Sequence, residues 1–298
     1  MAYPSIIRRT TLQGRDQGIK LQSRDIEFLQ HSARWWVTTP DAFVRAYQPE
    51  SVWGPAYIDG DQELRDRLAY SVRRRMSRLC STDTGVRPLL GQGYAGPTEG
   101  VFWITMEGAR LIGAPWGAYP QAHLNAVSHA VFATDVGLDL ERQGYTVYSE
   151  RETSLGRNVL GEDVIGGRLE TASRTSRSPN PHHGQRPDLS LVGPDGRLIA
   201  IEVERTQKAE HKYKKKLLTY AGLDDDRISS VWYVTPSTSI ARRVRKVHSD
   251  LLADGLRDDI TVRLIKAEQM CFGYHRALWS PALREDLDRV GATGSLNA

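Results

Sequence analysis

From Ser23 onward the chain carries apolar residues at Ile26, Leu29, Ala33, Trp36 and Val37, the three-and-four spacing that sets one helical face against a core. Ser23 ahead of Arg24-Asp25-Ile26-Glu27 supplies a hydroxyl and a following carboxylate, which predicts the helix start there. Thr39-Pro40-Asp41 is a second start, with Thr39 as cap and Pro40 in the first turn, followed by Phe43, Val44 and Tyr47. Residues 49–61, rich in Gly and Pro, read as a loop. Beyond them Leu64, Leu68, Val72, Met76 and Leu79 form the inner face of a third helix over Glu63 to Leu79, whose outward positions include Arg67, Arg74, Arg75 and Arg78. Val86 to Leu90 and Val101 to Thr105 read as two strands of a hairpin around a Gly-rich turn, and Thr105 caps a short helix running to Gly113.

The pattern resumes at His123. Leu124, Val127, Ala130, Val131, Val136, Leu138 and Leu140 continue a long helix that ends near Gln143-Gly144, where glycine terminates it. Tyr145 to Glu150 alternates as a strand, and residues 154–185 have no apolar period and predict a mobile surface insertion. Arg186 to Val192, the turn Gly193-Pro194-Asp195-Gly196, and Arg197 to Glu204 predict an antiparallel hairpin. Helix 206–221, strand 230–235, helix 238–253 and strand 260–265 follow. The expected class is α+β, with a polar arm over 1–20, one domain over 21–118 and a second over 119–298.

Composition agrees with two globular domains: 298 residues, 40% apolar and 26% charged, enough for two cores without covalent staples. Fibrous and disordered classes are thereby excluded. The two cysteines, Cys80 and Cys271, sit in no Cys-x-x-Cys pattern, which predicts buried thiols in a reducing compartment and no structural zinc. No run of about 18 apolar residues and no secretion signal is present, so a cytoplasmic protein without a membrane partner is expected. Neither Gly-x-Ser-x-Gly nor a phosphate-binding loop with Lys-Ser/Thr occurs, which argues against a serine hydrolase and against a nucleotide cofactor. His182-His183 reads as a solvated pair, and His123 and His129 as packed or hydrogen-bonded residues of the long helix.

The net charge is only +4, so the distribution of charge carries the information. Arg65, Arg67, Arg73, Arg74, Arg75 and Arg78 crowd one segment, and Lys208, Lys212, Lys214, Lys215 and Lys216 another; either could be simply a solvated face. Helix, short helix, basic helix and hairpin is an order that resembles a winged helix-turn-helix domain over about residues 20–115. That resemblance implies double-stranded DNA as partner, the third helix in the major groove, and Arg67, Arg73, Arg74, Arg75 and Arg78 as contacts, with Arg87 on the wing. A winged helix used for protein contact is the alternative. Trp35, Trp36 and Trp53 are assigned to core or loop packing.

The hairpin from Arg186 to Glu204 gathers Asp188, Glu202 and Glu204 at one end of a sheet, with Glu202 and Glu204 two apart and therefore on one face. Such crowding of anions is costly unless a cation sits among them. Pro187-Asp188 followed by Glu202-x-Glu204 resembles the PD-(D/E)xK nucleases, a restriction-endonuclease-like family. The resemblance implies that Asp188 and Glu202 ligate Mg2+ or Mn2+ for phosphodiester cleavage, with Glu150 or Glu141 completing the set. It departs at Glu204, which stands where the family has its catalytic Lys. Glu204 could serve in its place, the Lys could have migrated to Lys208 or Lys212, or the site could be inert and the domain a binding module. A salt-bridge lattice between these carboxylates and the lysine-rich helix is the plain alternative.

Glu202-Val203-Glu204-Arg205-Thr206, the lysine-rich segment from Lys208 through Lys216 to Tyr220, a helix opening on His123-Leu124 and a winged helix ahead of them are together similar to the actinobacterial replication-relaxation family. That implies a double-stranded-DNA-binding protein of a plasmid, integrated element or phage, acting in replication or relaxation or its regulation. It does not by itself imply cutting. Two classes stay open: a Mg2+- or Mn2+-dependent endonuclease working through Asp188, Glu202, Glu204 and Lys208, and a non-enzymatic factor holding phosphates with the arginines and with Lys212 and Lys215. A protein-interaction adaptor is a third. Action on two half-sites would make the chain a homodimer.

Overall fold

The computed structural model describes residues 21–57, 61–80, 89–94, 100–116, 124–142, 144–165, 186–221, 228–235, 237–255 and 261–266. The polar arm, Arg87, His123, His182, His183 and Cys271 lie outside the described residues. The fold is mixed α+β, with a two-stranded and a five-stranded sheet.

In the first half, α1 spans Ser23–Arg34 and starts one residue earlier than expected, from Gln22 as cap. The Asp25 carboxylate accepts the Gln22 N–H at 2.6 Å, so the acid three residues on, and not the Ser23 hydroxyl, closes the first turn. Helix α2, Pro40–Tyr47, begins as read, with Thr39 Oγ1 accepting the Ala42 N–H at 3.0 Å. Residues 49–61 are not simply a loop: α3 occupies Glu50–Tyr57. Pro55 removes one helical hydrogen bond, and the helix persists because Trp53 and Ala56 are buried in the core, with the Arg142 guanidinium 3.8 Å from the Trp53 ring centre. Helix α4, Gln62–Leu79, is capped by Asp61 and buries Val72, Met76 and Leu79.

The hairpin pairs β1, Leu90–Tyr94, with β2, Gly100–Ile104, in antiparallel register from Leu90↔Ile104 to Tyr94↔Gly100. The first strand therefore begins where the sequence reading ended it. Gly91 is paired in the strand opposite Trp103, and the position is glycine because a Cβ there would lie 2.2 Å from the indole that covers it. Thr38 adds a single bridge to Phe102 with two 2.8 Å bonds, and α5, Met106–Ile112, closes this half with Thr105 as its cap.

The second half opens with α6, Leu124–Arg142, followed by β3, Val147–Ser149, and α7, Glu150–Leu155. Glu150 is thus the first residue of a helix and not a strand end. Ser149 and Glu152 form a reciprocal cap, with the Ser149 N–H on the Glu152 carboxylate at 2.9 Å, and that turns the chain out of the sheet. Residues 154–165 are ordered, which corrects the insertion as drawn: α7 ends on Gly156 at φ 70°, Arg157 bridges Asp163, Val159 and Val164 are buried, and the Asn158 carboxamide oxygen accepts the N–H groups of Leu160 and Glu162. The polar composition there serves a tight turn of side-chain to backbone bonds. Residues 166–185 lie outside the described residues.

Strands β4, Leu189–Val192, and β5, Leu198–Val203, form the expected hairpin; α8, Glu210–Ala221, β6, Ile228–Thr235, α9, Thr238–Ala253, and β7, Thr261–Lys266, complete the chain. The sheet order is β3-β4-β5-β6-β7, antiparallel through β5 and parallel from β5 to β7. Strand β5 is buried on both faces, as a central strand must be. Ile199, Ile201 and Val203 face α6 with Phe132 and Val136, whereas Leu198 and Ala200 face Tyr213, Leu217 and Tyr220 of α8 and Ile240 and Val244 of α9.

The two halves share a core. Trp35 and Ala42 pack with Phe132, Val136 and the sheet, and Gly137 of α6 admits Trp35, whose ring a Cβ would approach to 2.3 Å. Arg34 reaches Glu152 at 2.9 Å and Glu141 at 2.5 Å, Arg45 pairs with Asp135 in the interior, and Arg151 and Trp116 both donate to the Ala33 carbonyl, at 2.6 and 2.7 Å. No helix among the described residues is long and apolar enough to cross a membrane.

Candidate functional site

Asp188 stands just before β4, and its Oδ2 accepts the Val203 N–H at 2.7 Å, which extends the hairpin past its last paired residues and fixes the carboxylate at the end of β5. Its Oδ1 lies 3.0 Å from Nε2 of His129 on α6. Burial alone would raise the Asp188 pKa; the His129 bond, the Lys216 charge and the Val203 N–H outweigh it and hold the carboxyl at about 2. Burial likewise opposes a charged His129, and the Asp188 bond and charge reverse this and raise its pKa.

Glu202 follows Leu198 and Ala200 in the period-two alternation, so it faces α8. The side chain is 1% exposed, and it accepts hydrogen bonds from Lys216 Nζ and Tyr220 OH. Those two residues are four apart on α8 and so project from one face. Burial, with the nearby Asp188 charge adding to it and Lys216 opposing, pushes the Glu202 carboxyl up to about 7. Lys216 is held above its ordinary value although burial opposes its charge, because Glu202, Asp188 and Glu204 all face it. Glu204 donates its N–H to the Val234 carbonyl at 2.8 Å and pairs with Lys208 Nζ at 2.6 Å.

The structure thus brings together Asp188, Glu202, Glu204 and Lys208, with Glu150 near them. Glu150 accepts the Trp36 Nε1–H at 3.1 Å, and burial, then the charge of Asp188, raises its pKa. Glu141 is not brought there. It lies twelve residues beyond His129 on α6, about 18 Å along the axis at 1.5 Å per residue, and pairs with Arg34. Lys212 is not the inward lysine either: α8 starts at Glu210, and its buried side is Tyr213, Leu217 and Tyr220 with Lys216 among them, which leaves Lys212 and Lys215 exposed. Sequence reasoning therefore missed Lys216 and Tyr220 as site residues; His129, expected to be packed or hydrogen-bonded, is hydrogen-bonded, and its partner is Asp188. The Lys216-x-x-x-Tyr220 spacing within the lysine run was the signal that could have found the first two.

Oxygen donors of this kind suit Mg2+ or Mn2+. In this arrangement both oxygens of Glu202 are engaged by Lys216 and Tyr220 and both of Asp188 by His129 and Val203, and among the described residues no three His, Cys, Asp or Glu side chains converge on a metal position. The ammonium of Lys216 supplies the cation that the crowded carboxylates require.

On α4 the arginines divide. Arg75 grips the fully buried Asp25 through two nitrogens, Nε to Oδ1 at 2.7 Å among them, and Arg65 reaches Asp41 at 2.7 Å. Arg75 is thereby corrected from an outward contact to an anchor of α4 on α1. Arg67, Arg73, Arg74 and Arg78 are exposed and make no ion pair among the described residues, and Tyr70, 63% exposed, stands between them. Cys80 is partly buried, and burial pushes its thiol up to about 12.

No protein-family model matches the chain, and no curated protein and no solved structure matches it.

Proposed function

We propose that the protein binds duplex DNA on behalf of a plasmid, an integrated element or a phage. In this reading α1 to α5 act as a winged helix, with α4 in the major groove and the β1–β2 hairpin as the wing, beside a restriction-endonuclease-like second half. The observation that carries it is the division on α4: Arg65 and Arg75 lock the helix to its own domain while Arg67, Arg73, Arg74 and Arg78 remain exposed along it. A helix rigidly held at its flanks with free guanidinium groups outward suits contact with phosphates and guanine edges. The order of α6, three antiparallel strands and then parallel crossovers supports the second domain's assignment, and exposed Lys212 and Lys215 on α8 are further phosphate contacts. A part in replication or relaxation follows from the resemblance around Glu202-Val203-Glu204.

The test is duplex binding by fluorescence anisotropy over a salt series. Each phosphate contact contributes about 0.9 to the slope of log affinity against log salt. Replacing Arg67, Arg73, Arg74 and Arg78 together by Ala is expected to flatten the slope by roughly 3–4. Wild-type protein that fails to bind duplex at low salt, or a quadruple variant with an unchanged slope, overturns the reading.

A second reading, DNA endonuclease, is favoured by Lys216, which returns to Glu202 the ammonium that Glu204 leaves missing from the strand. Supercoiled plasmid incubated with the protein and Mg2+ or Mn2+ decides it. Nicking that disappears in Asp188→Asn/Glu202→Gln supports an enzyme; intact plasmid with DNA binding retained removes this reading.

A further inference from the structure

Where the halves meet, the turn after α1 contributes two adjacent tryptophans. Trp35 is buried against Gly137, and Trp36 has a φ of 49°, the one positive φ at a non-glycine residue among those described. A bulky residue holds that conformation only where its surroundings over-determine it, and such strain gathers at functional sites. The surroundings are on view: the Trp36 Nε1–H is bonded to Glu150 at 3.1 Å, and the Arg151 guanidinium covers one side of the ring, 3.9 Å from its centre. The indole also lines a cavity of about 260 Å³. Trp35 and Ala133 make apolar wall, and His129, Glu150 and Asp188 add polar groups from the carboxylate cluster.

We propose that this cavity receives a single unpaired nucleobase of bound DNA. The inference rests on the DNA-binding reading and assigns that reading a second contact, separate from α4. A nucleobase has two flat apolar faces and a hydrogen-bonding edge, matching an indole wall with a carboxyl and an imidazole beside it. The volume falls below the ~300–1,000 Å³ of pockets that enclose drug-sized ligands, so it suits one heterocycle and not a cofactor. A paired base offers only its groove edge, so the occupant must leave the stack. The strained backbone, together with the Arg151 contact, keeps the indole in place before the base arrives.

The experiment compares the full chain on two labelled duplexes, one fully paired and one carrying a single-base bulge. The bulged duplex is expected to bind roughly tenfold tighter, and Trp36→Leu to remove that preference while leaving the paired affinity unchanged. Because this substitution sits at a junction of the fold, a second readout uses wild-type protein alone: 5-iodouracil at the bulge is cross-linked by light and the adduct mapped by mass spectrometry. An adduct on the peptide carrying Trp36 supports the cavity, and an adduct confined to other peptides overturns it. Equal, salt-dependent affinity for both duplexes overturns the cavity and leaves the α4 reading standing, whereas no binding to either removes both.

Discussion

On α4, Arg65 and Arg75 reach Asp41 and Asp25 while four other arginines stay exposed; on α8, Lys216 turns inward to Glu202, Lys214 meets Asp254 at the surface, and Lys212 and Lys215 point out. Both segments look alike as runs of positive charge. The difference lies in what each helix packs against. Helix α4 packs against α2 and α3 and is tied to α1 through Arg75, so the acids Asp41 and Asp25 hold two of its cations at the edges while the others stay along the outer face. Helix α8 covers a strand that carries a buried carboxylate near its end, and one lysine must follow the carboxylate in. An exposed ion pair contributes about 0–1 kcal/mol, whereas removing one partner of a buried pair costs about 3–5 kcal/mol. The same residue class thus does surface chemistry on one helix and internal neutralisation on the other.

The largest expected effect is at Lys216. Lys216→Met leaves the Glu202 carboxylate buried with Tyr220 alone, and urea unfolding at pH 8 is expected to register a loss of about 3 kcal/mol. At pH 5 the loss shrinks, because Glu202, already held at about 7, takes up a proton. A loss of equal size at both pH values breaks the account of α8.

Arg75→Ala comes next, at about 2 kcal/mol, since Asp25 is wholly buried and keeps only the Gln22 N–H. Arg74→Ala is expected within about 0.5 kcal/mol of wild type by the same denaturation measurement. Similar costs for the two would erase the division on α4.

The wild-type pH profile sharpens the comparison further. Glu202 has a folded pKa of about 7 against an ordinary 4.5, so its contribution is fully present below 4.5 and is lost as pH rises through 7. His129, raised above 6.5, acts in the same direction, while the Asp188 contribution is lost only as pH falls through about 2. Below pH 6.5 the buried His31, held at about 3, acts the opposite way, so the Glu202 share is read as a difference: the stability of Glu202→Gln relative to wild type should rise from pH 5 to pH 8, and a difference that falls over that range would contradict it.

The smallest effect is at Lys212 and Lys215. Each Ala variant is expected to unfold within about 0.5 kcal/mol of wild type while reducing the DNA salt slope by about 1. An unchanged slope confines the DNA contact to α4.

Much of the architecture was legible along the chain. Thr39 and Thr105 cap as their positions suggest, the inner face of α4 is the one its leucines and Val72 and Met76 mark, and the Gly193–Gly196 turn pairs β4 with β5 so that Asp188 and Glu202 share one end. These are consequences of hydrogen bonds and periodicities that close within a few residues, which a sequence displays directly. What only the tertiary structure decided is of longer range: helix α3 in spite of Pro55, the strained Trp36, Glu141 turned to Arg34, and the choice of Lys216 over Lys208 or Lys212 for Glu202. Arg75 meets an acid 50 residues away and His129 one 59 residues away. Such partners are selected by which faces pack together, and burial then sets the energy of each charge, so neither is written in the local pattern of residues.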